Sequence, residues 1–144
     1  MKVMFLCTGN TCRSQMAEGF ARELGLGLIE PYSAGLVPAG LVHPAAIAVM
    51  SEEGIDISGQ SSKGIDPALL QQMDIIVTLC GNAEESCPVT PPEITRLHWP
   101  IDDPVNSIET AMGTEKEDLN KFRKARDEIK RKITGLINSM EKEA

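Results

Sequence analysis

Val3-Met4-Phe5-Leu6-Cys7-Thr8-Gly9-Asn10-Thr11-Cys12-Arg13-Ser14 is the stretch that decides how this chain folds: an apolar run feeds a short polar loop, and the loop feeds a segment rich in helix formers. The run predicts a buried strand over 2–6, and Ser14 to Leu24 predicts a helix. A strand ending at Leu6 and a helix opening near Ser14 aim backbone N–H groups, and the positive end of the helix dipole, at the space above the Cys7 sulfur. That space suits a tetrahedral oxyanion such as phosphate or arsenate. Gly9 permits a tight loop, and Asn10 tolerates left-handed backbone and can lace the loop together. Thr8, Gly9, Asn10, Thr11, Cys12, Arg13 and Ser14 are therefore candidate oxyanion-binding residues, with Cys7 the candidate nucleophile.

A cysteine attacks as its thiolate, so Cys7 needs a pKa below the free value of about 8.5. A helix terminus supplies roughly one unit of that shift. Arg13 nearby, and a hydrogen bond from Ser14 to the sulfur, are expected to supply the rest and leave Cys7 mostly ionised at neutral pH. The planar fork of Arg13 also matches two oxygens of an anion whose charge grows in the transition state. The plain alternative is a cysteine that only fills the end of a buried strand. Cys12 is read as a filler behind the loop in preference to a thiol that traps Cys7.

Working outward, further strands are expected at Leu28–Ser33, Asp74–Leu79 and Ile94–Trp99, and helices at Pro44–Glu53, Pro67–Gln72 and about Glu115 to Lys142. Strands alternating with helices predict a parallel sheet covered by helices. In the last helix Leu119, Phe122, Ile129, Ile133, Leu136, Ile137 and Met140 keep helical spacing, which predicts one packed face, with the charged residues solvated. With 144 residues the chain is expected to be one domain, 1–144. Loops rich in Gly, Pro and Ser at Ser33–Gly40, Ser58–Gly64 and Pro88–Pro92 are expected to border the site. His43 and Trp99 are read as packing residues.

Two more cysteines follow the third strand. Cys80 is delivered to the same carboxyl edge of the sheet as Cys7, and Cys87 lies seven residues on. Asn82, with Glu85 three residues later, has the pattern of a capping box for a short helix between them. If that helix forms, it holds the two cysteines about 10 Å apart at 1.5 Å per residue, whereas a disulfide requires Cα atoms within roughly 7 Å. Joining them would force the helix to unwind. Two inert core thiols, or a metal site, are the alternatives, but Cys-x6-Cys with His43 and His98 lacks the paired short spacings of zinc sites. For an acid, Asp103 before Pro104 is the candidate, since proline biases its predecessor to extended backbone and fixes where the carboxylate projects. An ordinary turn is the competing reading.

The string Cys-x-Gly-Asn-x-Cys-Arg-Ser near the N-terminus, followed by Met16-Ala17-Glu18, resembles the low-molecular-weight protein tyrosine phosphatase superfamily. Val77 to Gly81 and Cys87 to Pro92 are similar to the branch formed by the thioredoxin-coupled arsenate reductases. The resemblance implies a low-molecular-weight tyrosine phosphatase-like α/β fold, with a four-stranded parallel sheet flanked by helices and a phosphate-binding loop. It implies that Cys7 attacks arsenate, that Arg13 stabilises it and that Asp103 is the general acid, with Asp102 structural. It further implies a relay in which Cys80 and then Cys87 carry the oxidation away as a disulfide that thioredoxin, or a glutaredoxin-like protein, reduces, in the service of arsenic detoxification. The phosphotyrosine branch carries aromatic residues after Asp-Pro, whereas Val105 and Asn106 stand here, which favours a small inorganic substrate. Some arsenate reductases hold potassium behind the loop. The matching positions are Asn10, Glu18, Ser33 and Lys63, where the lysine departs from an aspartate and its ammonium is expected to take the place of the metal. A phosphatase without use for Cys80 and Cys87, and a non-enzymatic oxyanion or arsenite sensor, are the alternatives.

A formal net charge of −7 argues against general binding to nucleic acid or an anionic membrane, and requires a local positive field at an oxyanion site. No apolar run approaches the ~20 residues of a bilayer span, and the N-terminus lacks a signal-peptide pattern. A cytoplasmic monomer is expected, with its thiols mainly reduced and with neither bound metal nor organic cofactor.

Overall fold

The computed structural model describes residues 1–104 and 119–143. Four parallel strands form one sheet in the order β2-β1-β3-β4: β1 is Lys2–Cys7, β2 Glu30–Gly35, β3 Ile75–Thr78 and β4 Thr95–His98. The helices are α1 (Arg13–Leu24), α2 (Pro44–Ser51), α3 (Pro67–Leu70), α4 (Gly81–Ser86) and α5 (Leu119–Glu143). This is the expected α/β arrangement.

β1 sits in the interior of the sheet, so both of its faces must be apolar. Alternate residues point to opposite faces. Val3 and Phe5 pack with Met16 and Phe20 of α1, Val49 and Met50 of α2, and Phe122, Ile129 and Ile133 of α5. Met4 and Leu6 join a smaller core with Ala34, Leu70, Ile76, Ala83 and Ile94. The larger core lies under α1, α2 and α5, and the smaller one holds α4 against the sheet through Ala83, which is fully buried. His43 is buried, caps α2 by accepting from the Ala45 N–H through Nδ1, and stacks 5.0 Å from Phe122. Trp99 packs near Phe5. Both are packing residues, as the sequence suggested.

β2 begins two residues later than Leu28 and ends at Gly35. The chain is still turning after α1, because the Leu28 and Ile29 N–H groups both bond to the Gly25 carbonyl. Strand pairing starts only when the Glu30 N–H reaches the Met1 carbonyl at 2.8 Å. β3, β4, α2 and α3 are each trimmed at one or both ends relative to the expectation. The expected first turn of the last helix, 115–118, and the Val105-Asn106 pair lie outside the described residues. Not all of the charge on α5 is solvated: Arg126 is buried, donating to the Val49 carbonyl at 2.9 Å and to Glu52 at 2.7 Å. No helix among the described residues is long and apolar enough to cross a membrane.

Candidate active site

The carboxyl edge of the sheet collects the chemistry. Cys7 closes β1, and its register partner on β2 is Gly35. The loop that follows is held by its carbonyls: those of Cys7, Thr8, Gly9 and Thr11 accept from the N–H groups of Leu36, Val37, Ala39 and His43, and that of Cys12 accepts from Met16. The Asn10 carbonyl accepts from Gln15 Nε2 at 2.9 Å. In a trans peptide the N–H points away from its carbonyl. Six consecutive carbonyls committed to the surrounding protein therefore turn the opposing N–H groups toward the space the loop encloses, an arrangement suited to an anion.

Asn10 is buried, with φ 48°, the left-handed backbone expected of it. Its side chain laces the loop. Oδ1 accepts from the Lys63 N–H at 2.9 Å, and Nδ2 donates to Ser14 Oγ at 2.7 Å. Because Ser14 Oγ is already an acceptor there, its hydroxyl hydrogen is available to the Cys7 sulfur 2.9 Å away. Gly9, expected to permit the tight loop, does so without left-handed backbone, and a Cβ there would find no neighbour closer than 3.5 Å. The glycine that the loop itself crowds is Gly35, where a Cβ would come within 2.8 Å of both Asn10 N and Thr8 O.

Arg13 opens α1 and is buried. Its Nη1 donates to the Ile101 carbonyl at 3.0 Å, and Nη2 lies 3.5 Å from Asp103 Oδ2. Nε has no hydrogen-bond partner among the described residues, and a buried donor of that kind is costly to leave unmet. The Asp103 side chain is half exposed at the mouth. Beside it opens a cavity of about 260 Å³ whose charged lining is mixed, Lys121 and Lys124 facing Asp102, Asp103 and Glu128; the positive charge at the loop itself is that of Arg13.

Cys80 sits just beyond β3 as the N-cap of α4 and accepts from the Ala83 N–H at 3.4 Å. It therefore takes the cap position proposed for Asn82, which lies inside the helix; a sulfur serves as the acceptor, a capping chemistry outside the usual Ser, Thr, Asp, Asn set. Thr8 Oγ1 is 3.3 Å from Cys80 Sγ. Cys87 is the C-cap at the far end of α4. Six helical residues hold the two cysteines about 10 Å apart, and none of the four cysteines is in a disulfide. Cys12 is buried behind the loop, where burial first, then repulsion from Cys7 and Asp103, push its thiol up to about 12 despite Arg13 nearby. That is the environment of a filler.

The positions matched to a potassium site do meet. Ser33 Oγ donates to Glu18 Oε1 at 2.5 Å, and Lys63 Nζ donates to Ser33 Oγ at 3.4 Å and to the Ser61 carbonyl at 2.8 Å. Nζ is 3.7 Å from Glu18 Oε1. Lys63 reaches Asn10 through its backbone and not its ammonium. Among the described residues no three His, Cys, Asp or Glu side chains cluster as metal ligands.

The sequence pattern of the low molecular weight phosphotyrosine protein phosphatases matches residues 2–144. The chain belongs to this family. Within this phosphatase family it is similar to an arsenate reductase of Bacillus subtilis, 50% identical over 127 residues and covering 88% of each chain. Among solved structures, an arsenate reductase in the phosphate binding state is 42% identical, with a TM-score of 0.74 over 96% of this chain and 98% of that one. A thioredoxin-dependent arsenate reductase of Corynebacterium glutamicum is 26% identical with a TM-score of 0.78, covering 99% of this chain and 63% of that one. The phosphatase family thus includes relatives of both chemistries, and the second cysteine pair bears on which one this chain performs.

Sequence reasoning missed two supports. The Ile101 carbonyl holds Arg13, and the Lys63 N–H fixes Asn10; both are backbone groups brought in from distant loops, for which side-chain identity carries no signal.

Proposed function

We propose that this protein is an arsenate reductase that works by a relay of three thiols and is regenerated by thioredoxin. The observation that carries the reading is the placement of Cys80: its sulfur lies 3.3 Å from the hydroxyl of Thr8, the residue next to Cys7. A phosphatase needs Cys7, Arg13 and Asp103 but has no use for a second thiol there.

The Cys7 thiolate attacks arsenic, accepting a hydrogen bond from Ser14 while the loop N–H groups and Arg13 hold the oxygens. Asp103 protonates the departing hydroxyl, which leaves as water and gives a Cys7–arsenic bond. The Cys80 thiolate then attacks the Cys7 sulfur. A sulfur–sulfur bond forms, the sulfur–arsenic bond breaks, and its electron pair reduces arsenic as arsenite departs. Cys87 attacks Cys80, which frees Cys7 and leaves Cys80–Cys87. That closure needs α4 to unwind. Two thiols thus lose two electrons per arsenate reduced, and thioredoxin restores them. The proposed reaction suits the cytoplasm, where such a dithiol is kept reduced, and one chain carries every group named. The ammonium of Lys63 supplies a fixed positive charge beside Glu18, so the reaction is expected to need no potassium.

The test is to mix fully reduced protein with arsenate and no reductase, and map the thiols. Loss of two thiols per arsenite, ending as Cys80–Cys87, supports the relay. Cys80→Ser should stop at the arsenate adduct, and Cys87→Ser should stall after about one turnover with Cys7 oxidised. No oxidation, with brisk aryl phosphate hydrolysis instead, would make the protein a phosphatase, and oxyanion binding without turnover would make it a sensor.

A further inference from the structure

On the side of the loop away from the enclosed space, a buried polar chain runs to the protein surface. Arg22 Nη1 donates to Gln60 Oε1 at 2.6 Å, Gln60 Nε2 donates to Gln15 Oε1 at 2.8 Å and to the Gln15 carbonyl at 3.0 Å, and Gln15 Nε2 donates to the carbonyls of Asn10 and Ser61, each at 2.9 Å. A guanidinium only donates, so Arg22 sets which way round Gln60 lies, and Gln60 sets Gln15. Gln15 is fully buried, and both of its amide hydrogens are committed.

The end of this chain is the peptide after Asn10, the loop's left-handed residue. A non-glycine residue held there costs free energy, and it persists only where the surroundings over-determine it. The Asn10 side chain is fixed by Lys63 and Ser14, but those bonds do not fix its carbonyl. Gln15 does. If the peptide between Asn10 and Thr11 turned over, the loop would present a carbonyl oxygen to the anion in place of the Thr11 N–H.

We propose that Gln15 is a positioning residue for oxyanion capture: anchored through Gln60 to Arg22, it holds the Asn10 carbonyl outward and keeps the Thr11 N–H facing the bound anion. The proposal rests on reading the loop as an arsenate site. It separates two properties that a general loss of packing would affect together, namely capture of the anion and reactivity of the Cys7 thiol.

The experiment uses full-length protein and inorganic phosphate, an oxyanion that thiols do not reduce. Alkylation of Cys7 by iodoacetamide is followed as phosphate is added. In Gln15→Met, which keeps the volume and removes the donors, the half-protecting phosphate concentration is expected to rise about tenfold or more, the size of one lost hydrogen bond to a charged group. In Gln60→Met, where Gln15 keeps its donors and loses its anchor, a rise of about threefold is expected, smaller because no bond to the loop itself is removed. The alkylation rate without phosphate should stay within about twofold in both, because the Asn10–Ser14–Cys7 bonds remain. A folded Gln15→Met with unchanged phosphate protection and only a lower unfolding temperature overturns the proposal. Should Gln15→Met fail to fold, unchanged protection in Gln60→Met overturns it equally. Lack of phosphate protection in the unaltered protein would instead strike at the loop as an oxyanion site, and both readings would fall.

Discussion

Gly35→Ala puts a single methyl group at the point where β2 meets the loop. The added Cβ would lie 2.8 Å from Asn10 N, 2.8 Å from Thr8 O and 2.9 Å from Asn10 Cβ, whereas ordinary contact starts at 3.4 Å. Two of these neighbours are backbone atoms and the third is the first atom of a pinned side chain, so no rotamer change relieves them, and the loop must withdraw by about half an ångström. On its other side Gly35 is tied to the Lys63 carbonyl through its N–H at 2.9 Å, which keeps β2 from giving way. Overpacking of this kind costs about 1–3 kcal/mol, which for a chain of this size lowers the unfolding temperature by about 3 to 9 °C. The functional loss should be larger. Misplacing a catalytic array by about 1 Å can cost about a hundredfold, so a tenfold to hundredfold fall in kcat/KM for arsenate is expected. Thioredoxin-coupled turnover and thermal unfolding, measured beside Gly59→Ala, where a Cβ would meet nothing within 4 Å, separate the two effects. If Gly35→Ala retained kcat/KM within about twofold of the parent, the claim that this contact sets the loop would be wrong.

Three further predictions follow from charge and burial. The Cys12 thiol, pushed up to about 12 by burial, stays protonated near pH 8, so iodoacetamide should label Cys7 well before Cys12 in the folded protein; equal rates would refute the filler role. Arg123 first, and then Arg126, hold the Glu52 carboxyl at about 2, well below the ordinary range. The stability this lends is complete above the ordinary carboxylate range and is lost as pH falls toward about 2. Thermal melts of Glu52→Gln should therefore show a lower midpoint at pH 7 and a shallower decline on acidification than the parent, and parallel declines would exclude the pair as a source of acid sensitivity. Turnover and melting temperature should be the same in sodium and in potassium at matched ionic strength, since Lys63 occupies the cluster with Glu18 and Ser33; marked potassium activation would sink that assignment.

Much of the site was legible because its chemistry is local. Cys7 to Ser14 is one continuous stretch, and the apolar run before it and the helix after it fix where the loop must lie. Asp103 was legible for a similar reason, since Pro104 restricts its backbone. What was not legible depends on pairs distant in sequence. Gly35 looks like a strand end, and the Cβ clash that requires a glycine there appears only when the loop is folded over it. The left-handed turn was legible at Asn10, because a short polar side chain tolerates that backbone. The start of β2 slipped because the turn after α1 consumes Leu28 and Ile29, apolar residues that read as strand. The cap of α4 was given to Asn82 because cysteine is not among the residues that usually cap helices.

Those two cap positions of α4 have an electrochemical consequence. A bond that closes only by unfolding six residues includes their folding free energy in its reduction potential, and for two electrons about 30 mV corresponds to 1.4 kcal/mol. In the proposed relay, refolding α4 favours the dithiol, so a more stable helix would make Cys80–Cys87 more oxidising and easier for thioredoxin to reduce. A less stable helix lets the bond form more readily and holds it longer. Because Ala83 is a buried residue through which α4 meets the smaller core, and its N–H is the donor that the Cys80 sulfur accepts, substitutions at this site would tune the potential of the couple.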